Sequence, residues 1–189
     1  MLSLAYQRIA VISLRRGAIP SAVNEVKSRS GVTVTIRSLS KDDDLSGLVA
    51  LSKQFFHEYE QHHEEFFKID NLKDEDIINY FMRFIDTEDR KAFIALINGM
   101  IVGYITVYIK DQPSFWVEKR VGDISGLMVD KGYRRIGVAS QLFAKAGDFF
   151  KEKNIKYYTV FTAVNNSAGI EFYKSKGMKP LYTTLIGRV

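Results

Sequence analysis

Cysteine is absent from the 189-residue chain, which excludes a disulfide framework, a thiolate-held metal and a covalent cysteine intermediate, and is compatible with a reducing compartment. No apolar run approaches the roughly 20 residues that cross a bilayer, so a soluble protein away from the membrane is expected. With three prolines, no internal repeat and no low-complexity segment, nothing divides the chain into linked modules. Two phosphate-binding signatures are missing as well: Gly-x4-Gly-Lys-Ser/Thr and Gly-x-Gly-x-x-Gly. What is present is 46% hydrophobic and 13% aromatic residues, enough for one well-buried core.

The formal charge of +5 raises nucleic acid as a partner, and its distribution argues against it. Residues 1–30 hold five Lys/Arg against Glu25, a net of +4, while residues 31–189 hold 22 against 21, a net of +1. Basicity therefore belongs to the leader, and no nucleic-acid partner is expected. Gln7 and Arg8 interrupt the leader's apolar stretch and no small-residue cleavage site follows, so it lacks a signal-peptide pattern. Residues 1–30 read as a basic, loosely held N-terminal extension before a domain at 31–189, with a cytoplasmic location expected.

Val32–Ile36 alternates β-branched residues, a strand with period 2. The run Ser38-Leu-Ser-Lys-Asp-Asp-Asp44 supplies capping side chains for a helix over 45–59. A second helix is expected over 74–85, packing Ile77, Ile78, Phe81, Met82 and Phe84 inward. Strands at 92–97 and 101–109 flank Asn98-Gly99, whose tolerance of positive φ makes it a hairpin turn. A strand over 117–129 follows, then helix at 137–153, strand at 157–163, helix at 167–175 and strand at 179–186. This is a mixed α/β domain.

The most informative stretch is Leu127-Met-Val-Asp-Lys-Gly-Tyr-Arg-Arg-Ile-Gly-Val-Ala139, an apolar strand passing through a basic, Gly-containing turn into a helix. Such a turn aims backbone N–H groups and a helix N-terminus at one point, a seat for phosphate. Arg134-x-x-Gly137-x-Ala139 resembles the pyrophosphate turn of the GNAT superfamily of N-acetyltransferases, Arg/Gln-x-x-Gly-x-Gly/Ala. Asn166, Phe172, Tyr173, Gly177 and Met178 are similar to that family's Asn-x5-Phe-Tyr-x3-Gly-Phe segment at a fitting distance. Element order agrees over 32–189; motif agreement is confined to 123–178. Without the second segment, Gly137 and Ala139 would read equally well as small residues packing a helix on a strand.

The resemblance implies the GNAT-like fold, a central twisted mixed sheet flanked by helices, with acetyl-CoA as co-substrate and no metal. It implies that Leu127, Met128 and Val129 offer backbone groups to the pantetheine arm. It also implies that the turn from Arg134 through Arg135, Ile136, Gly137, Val138, Ala139 and Ser140 holds the pyrophosphate. Asn166 would hydrogen-bond the cofactor arm, cap the following helix, or both. Tyr173 matches the family's general acid, which protonates the departing thiolate; the alternative is an aromatic packed beneath the C-terminal strand. Some relatives carry a glutamate five positions before the Asn, and Phe161 stands there instead. Asp123, four positions before Leu127, is the candidate base, against the alternative of a structural or solvated carboxylate.

Charge segregates along the domain: residues 42–89 hold 14 Asp/Glu against four Lys/Arg, a net of −10, and residues 131–189 hold 11 Lys/Arg against three acids, a net of +8. The basic half coincides with the expected coenzyme A site, and the acidic half with the two helices that line the acceptor cleft in the family. A cationic amine acceptor follows, whether polyamine, aminoglycoside-like compound or peptide, unless these acids simply solvate two amphipathic helices. His57, Glu58, His62, His63 and Glu64 do not make a zinc motif, since His57 and His62 stand about 140° apart on a helix. Trp116 and its aromatic neighbours read as core or cleft wall. Direct attack of an amine on the thioester is the leading expectation, with homodimerisation compatible. The alternatives are a longer acyl-CoA donor and a non-catalytic coenzyme A-binding sensor.

Overall fold

The computed structural model describes residues 24–27, 31–63 and 65–189. Six strands form one sheet in chain order: β1 (Asn24–Lys27), β2 (Thr33–Ser38), β3 (Arg90–Ile97), β4 (Met100–Asp111), β5 (Arg120–Val129) and β6 (Tyr158–Val160). Neighbours pair antiparallel up to β5, and β6 joins β5 in parallel. Through β1 the sheet includes part of the segment expected as an extension; the remainder of residues 1–30 lies outside the described residues.

Period-2 alternation builds two cores from the same strands. On β3, Ala92 and Ile94 face α1 (Ser46–Glu60) and α2 (Asp74–Met82), where Leu48, Val49, Leu51, Ile77 and Phe81 are buried. Phe93, Ala95 and Ile97 face the opposite side, where α3 (Val138–Glu152) buries Val138, Leu142, Phe143, Ala146, Phe149 and Phe150. That spacing gives α3 a continuous apolar stripe, and each fully buried Leu or Phe contributes about 1.5–3 kcal/mol of transfer free energy. Asn98 and Gly99 both take positive φ, 50° and 78°, the turn expected between β3 and β4.

Four expectations are corrected. The second helix ends at Met82 rather than 85; Ile77 and Phe81 share its buried face and Phe84 is buried just beyond its end, whereas Ile78 and Met82 lie about 100° round from Ile77 and Phe81 and are exposed. The strand after α3 stops at Val160, because the chain turns there and the Asn166 amide bonds Ala163 O at 2.9 Å. Residues 179–186 join no strand: Pro180 has no N–H for a ladder, and β6 offers only three residues. Trp116 stands 56% exposed in the β4–β5 loop. That loop closes on itself through Gln112 N to Lys119 O at 2.7 Å, and its Phe115 and Trp116 rings pack on each other at 5.5 Å. None of the described helices is long and apolar enough to cross a membrane.

Candidate active site

β5 and β6 pair only over Gly122–Ile124 with Tyr158–Val160, and beyond Ile124 the two strands part. A β-bulge in β5 begins at the same place. Thr106 of β4 pairs with Gly126 and Val107 with Ile124, so Ser125 has no partner across the ladder. One extra residue reverses the facing of everything after it. Asp123 therefore shares the α1/α2 face with its cross-strand partner Tyr108, while Leu127 packs with the α3-side core. In a regular strand, positions four apart would share a face, and the bulge separates these two.

From Val129 the chain enters a 3-10 turn at Lys131–Tyr133, held by Gly132 N donating to Asp130 Oδ1 at 2.8 Å. Arg135 then takes φ +67° and Gly137 φ +96°, and α3 begins with Gly137 as N-cap and no side-chain cap. The first-turn amides of a helix have no intrahelical acceptors, so Val138, Ala139 and Ser140 leave their N–H groups free of helical partners at the start of α3, where Val138 packs in one cluster with Leu127, Val129 and Val160. A Cβ on Gly137 would point into open space; the positive φ, rather than crowding, accounts for the glycine. Lys176 Nζ donates to Ser140 Oγ at 2.8 Å. This places an ammonium beside the positive end of the α3 dipole, where a cation is unfavourable unless an anion joins it.

Arg134 takes a different part from its neighbours. Its Nε donates to Val129 O at 2.8 Å, and Nη2 reaches both carboxylate oxygens of Glu58 on α1, at 2.8 and 3.0 Å. The guanidinium thus ties the end of β5 to the acidic helix. Asn166 caps α4 (Ser167–Ser175) by accepting from Gly169 N at 3.0 Å, and its Nδ2 donates to Thr162 Oγ1 at 3.1 Å. A Cβ at position 169 would stand 2.6 Å from Asn166 Nδ2, so glycine there leaves the cap its room.

Tyr173 of α4 packs against Phe143 and Phe172. Burial pushes its phenol well above the usual tyrosine range, and the nearby Tyr59 reinforces the shift. Tyr59, on α1, is itself raised by burial against a hydrogen bond from the Ala163 backbone. Two phenols from opposite sides of the sheet edge therefore keep their protons at neutral pH.

Asp123 sits in a polar network on the other side. Lys110 Nζ and the Thr159 hydroxyl both donate to its Oδ2, at 2.5 and 2.9 Å. Burial works against the Lys110 charge, and the hydrogen bond and field of Asp123 outweigh it, leaving the ammonium raised. Beside this network, Tyr80 of α2, Thr106 and Ser125 bring three hydroxyl oxygens within 3.0 Å of one another. Residue type and spacing did not single out Tyr80, Thr106, Ser125, Lys110, Thr159, Tyr59 or Lys176; Ser125-Gly126 inside a strand was the one available hint of a bulge. Phe161, at the position of the missing glutamate, is 58% exposed beyond the end of β6. Among the described residues no three His, Asp or Glu side chains gather as metal ligands.

The sequence model of the acetyltransferase (GNAT) family matches residues 52–178. An uncharacterized N-acetyltransferase of Methanocaldococcus jannaschii is 28% identical over 148 residues, covering 78% of this chain and 61% of that protein. The N-alpha-acetyltransferase daf-31 of Caenorhabditis elegans is 31% identical over 78 residues, 41% of each chain. The chain thus spans less than two thirds of the length of these two relatives. Among solved structures, the aminoglycoside N-acetyltransferase AAC(6')-Iy in complex with CoA superposes with a TM-score of 0.67 at 18% identity, covering 91% of this chain and 99% of that one.

Proposed function

The chain belongs to the GNAT acetyltransferase family, and from that membership we propose that it is an acetyl-CoA-dependent N-acetyltransferase acting by direct attack of a primary amine in a ternary complex. One observation carries the reading: the pairing of β5 with β6 ends at Ile124 and Val160, and α3, whose first-turn amides have no side-chain cap, begins at Val138 in the same core cluster as Leu127, Val129 and Val160. An extended arm ending in a pyrophosphate fits that combination, with the backbone of Leu127, Met128 and Val129 beside the arm and the amides from Arg135 to Ser140 on the phosphates. Lys176 adds the side-chain cation. Acetyl-CoA supplies the activated thioester, and the chain's residues orient it and move protons.

Asp123 receives the proton that the acceptor ammonium must shed before its nitrogen can attack the thioester carbonyl carbon. As the new C–N bond forms and the C–S bond breaks, Tyr173 gives its phenolic proton to the departing thiolate. After the attack the nitrogen releases its surplus proton to solvent and keeps the one N–H of the amide, and the tyrosinate is reprotonated. AAC(6')-Iy, with its aminoglycoside acceptor named and CoA bound, is consistent with a polyamino acceptor here, as is the acidic α1–α2 segment. The engagement of Asp123 by Lys110 and Thr159, with Phe161 in place of a glutamate, favours a second reading: a coenzyme A-binding sensor without catalysis.

Titration calorimetry with acetyl-CoA, paired with thiol release across spermidine, kanamycin, amino acids and a peptide, separates the two. Binding together with acceptor-dependent release is expected. Binding without release from any amine overturns the transferase reading in favour of the sensor.

A further inference from the structure

On the transferase reading, the acceptor nitrogen comes to the α1/α2 face beside the point where β5 and β6 part. The bulge turns two successive residues, Ser125 and Gly126, toward that face. A side chain on Gly126 would press on Thr106 Oγ1 at 3.0 Å and on the Tyr104 ring at 3.4 Å. Glycine therefore lets Ser125, Thr106 and Tyr80 close into a triangle with sides of 2.9, 2.9 and 3.0 Å.

The hydrogen accounting of this triangle decides what it offers. Each hydroxyl has one proton and two acceptor sites. The acceptors within reach of the Ser125 Oγ proton all lie inward, on Thr106 Oγ1 at 2.9 Å, Thr106 O at 3.3 Å and Tyr80 Oη at 3.0 Å. Thr106 is fully buried, so nothing from solvent reaches it, while Ser125 is exposed. With its proton turned inward, Ser125 presents an acceptor lone pair outward, two residues before Leu127 and two after Asp123.

We propose that Ser125 Oγ is the seat of the acceptor's nitrogen: it accepts an N–H of the incoming amine, and Tyr80 and Thr106 act as positioning residues that fix the oxygen. An outward lone pair rewards a donor, and a charged donor most. An amine or ammonium group is held, whereas a carboxylate gains nothing. A hydrogen bond at this point also sets the direction of approach, since the remaining nitrogen lone pair must face the thioester carbonyl. Asp123 lies on the same face to take the proton.

The test titrates spermidine, kanamycin and a free-amino-terminus peptide into the chain saturated with coenzyme A, which binds without reacting, and compares Ser125→Ala, Ser125→Thr and Tyr80→Phe. For at least one amine, Ser125→Ala weakens binding about tenfold or more, as expected for losing a hydrogen bond to a charged group. Ser125→Thr restores it to within about threefold, and affinity for acetyl-CoA stays within about twofold throughout. Tyr80→Phe shifts acceptor KM more than kcat. The seat is overturned if Ser125→Ala binds every amine as the unaltered chain does, if threonine does not rescue, or if no amine binds the unaltered complex. An amine that binds in this Ser125-dependent way and is never acetylated overturns the transferase reading while supporting the seat.

Discussion

The general-acid role proposed for Tyr173 rests on the state of its proton. Burial holds the phenol protonated well beyond its ordinary range, so on the proposed mechanism it keeps its proton until a thiolate develops beside it. Tyr173→Phe is expected to lower kcat about 100-fold, the lower bound for losing a general acid, with affinity for acetyl-CoA nearly unchanged. Full activity in that variant removes Tyr173 from the mechanism. A second consequence concerns pH. The rate should show no alkaline fall below about pH 10, the value of an unperturbed tyrosine, and a kcat profile between pH 6 and 10 checks it. Stability has the opposite limb. Below about pH 10 folded and unfolded chains both keep this proton; above it only the unfolded chain releases it, so stability falls as pH rises toward the folded value. Tyr104, raised by burial against a bond from Ser52, adds to the same alkaline loss. At this scale the sequence could mark Tyr173 and the turn as candidates, because those motifs are local. It did not separate the two readings of Asn166, whose side chain caps α4, nor give Arg134 its brace to Glu58, a contact across 76 positions.

Placement of the elements depends on close approaches that spacing alone does not reveal. Gly122 is the sharpest case: a Cβ there would stand 2.4 Å from a ring carbon of Phe150, and Phe150 is 2% exposed and stacked on Tyr158 at 5.2 Å. Shifting the ring disturbs its stack on Tyr158 of β6. Gly122→Ala should therefore cost about 1–3 kcal/mol as overpacking, a fall of roughly 2–12 °C in Tm for a domain of this size. Thermal unfolding measures it, and an unchanged Tm means the Phe150 contact is loose. Loss of acetyl-CoA affinity alongside is expected, since Gly122 belongs to the short pairing that sets where the strands part. Helices and the hairpin were legible because their signals repeat: α3 carries its stripe over four turns, and Asn98-Gly99 names its own turn. The bulge at Ser125 leaves almost no local mark, being a difference in register between two strands. Counting four residues from Asp123 to Leu127 therefore gives their separation but not that the bulge sets them on opposite faces. The expected last strand failed for a related reason: the apolar and β-branched residues after Pro180 resemble a strand, but these residues pair with no strand edge.

Across the whole molecule, the two charged halves meet at the site. Glu58 of the acidic segment holds Arg134 at 2.8 Å and Lys131 at 3.5 Å, so the halves are joined by contact. The same contacts reduce the field that the sequence count suggests. Asp43, Glu58, Glu65 and Asp89 are each paired with an arginine from outside residues 42–89, namely Arg37, Arg134, Arg188 and Arg120. The segment's −10 is thereby offset to about −6, still enough to draw a polycation at low ionic strength, where the screening length is about 10 Å at 0.1 M salt. If that field guides the acceptor, kcat/KM for spermidine should fall several-fold between 0.05 and 0.5 M salt while that for a monoamine falls much less, because the attraction scales with acceptor charge. The comparison must be made on the ratio between the two amines, since salt also weakens attraction between the basic half and the coenzyme A phosphates and lowers both rates together. A ratio flat with salt, or a preference for neutral acceptors, would leave the acids of α1 and α2 as a solvated helical surface. Specificity would then rest on the short-range geometry around Ser125 and Asp123 rather than on the long-range field.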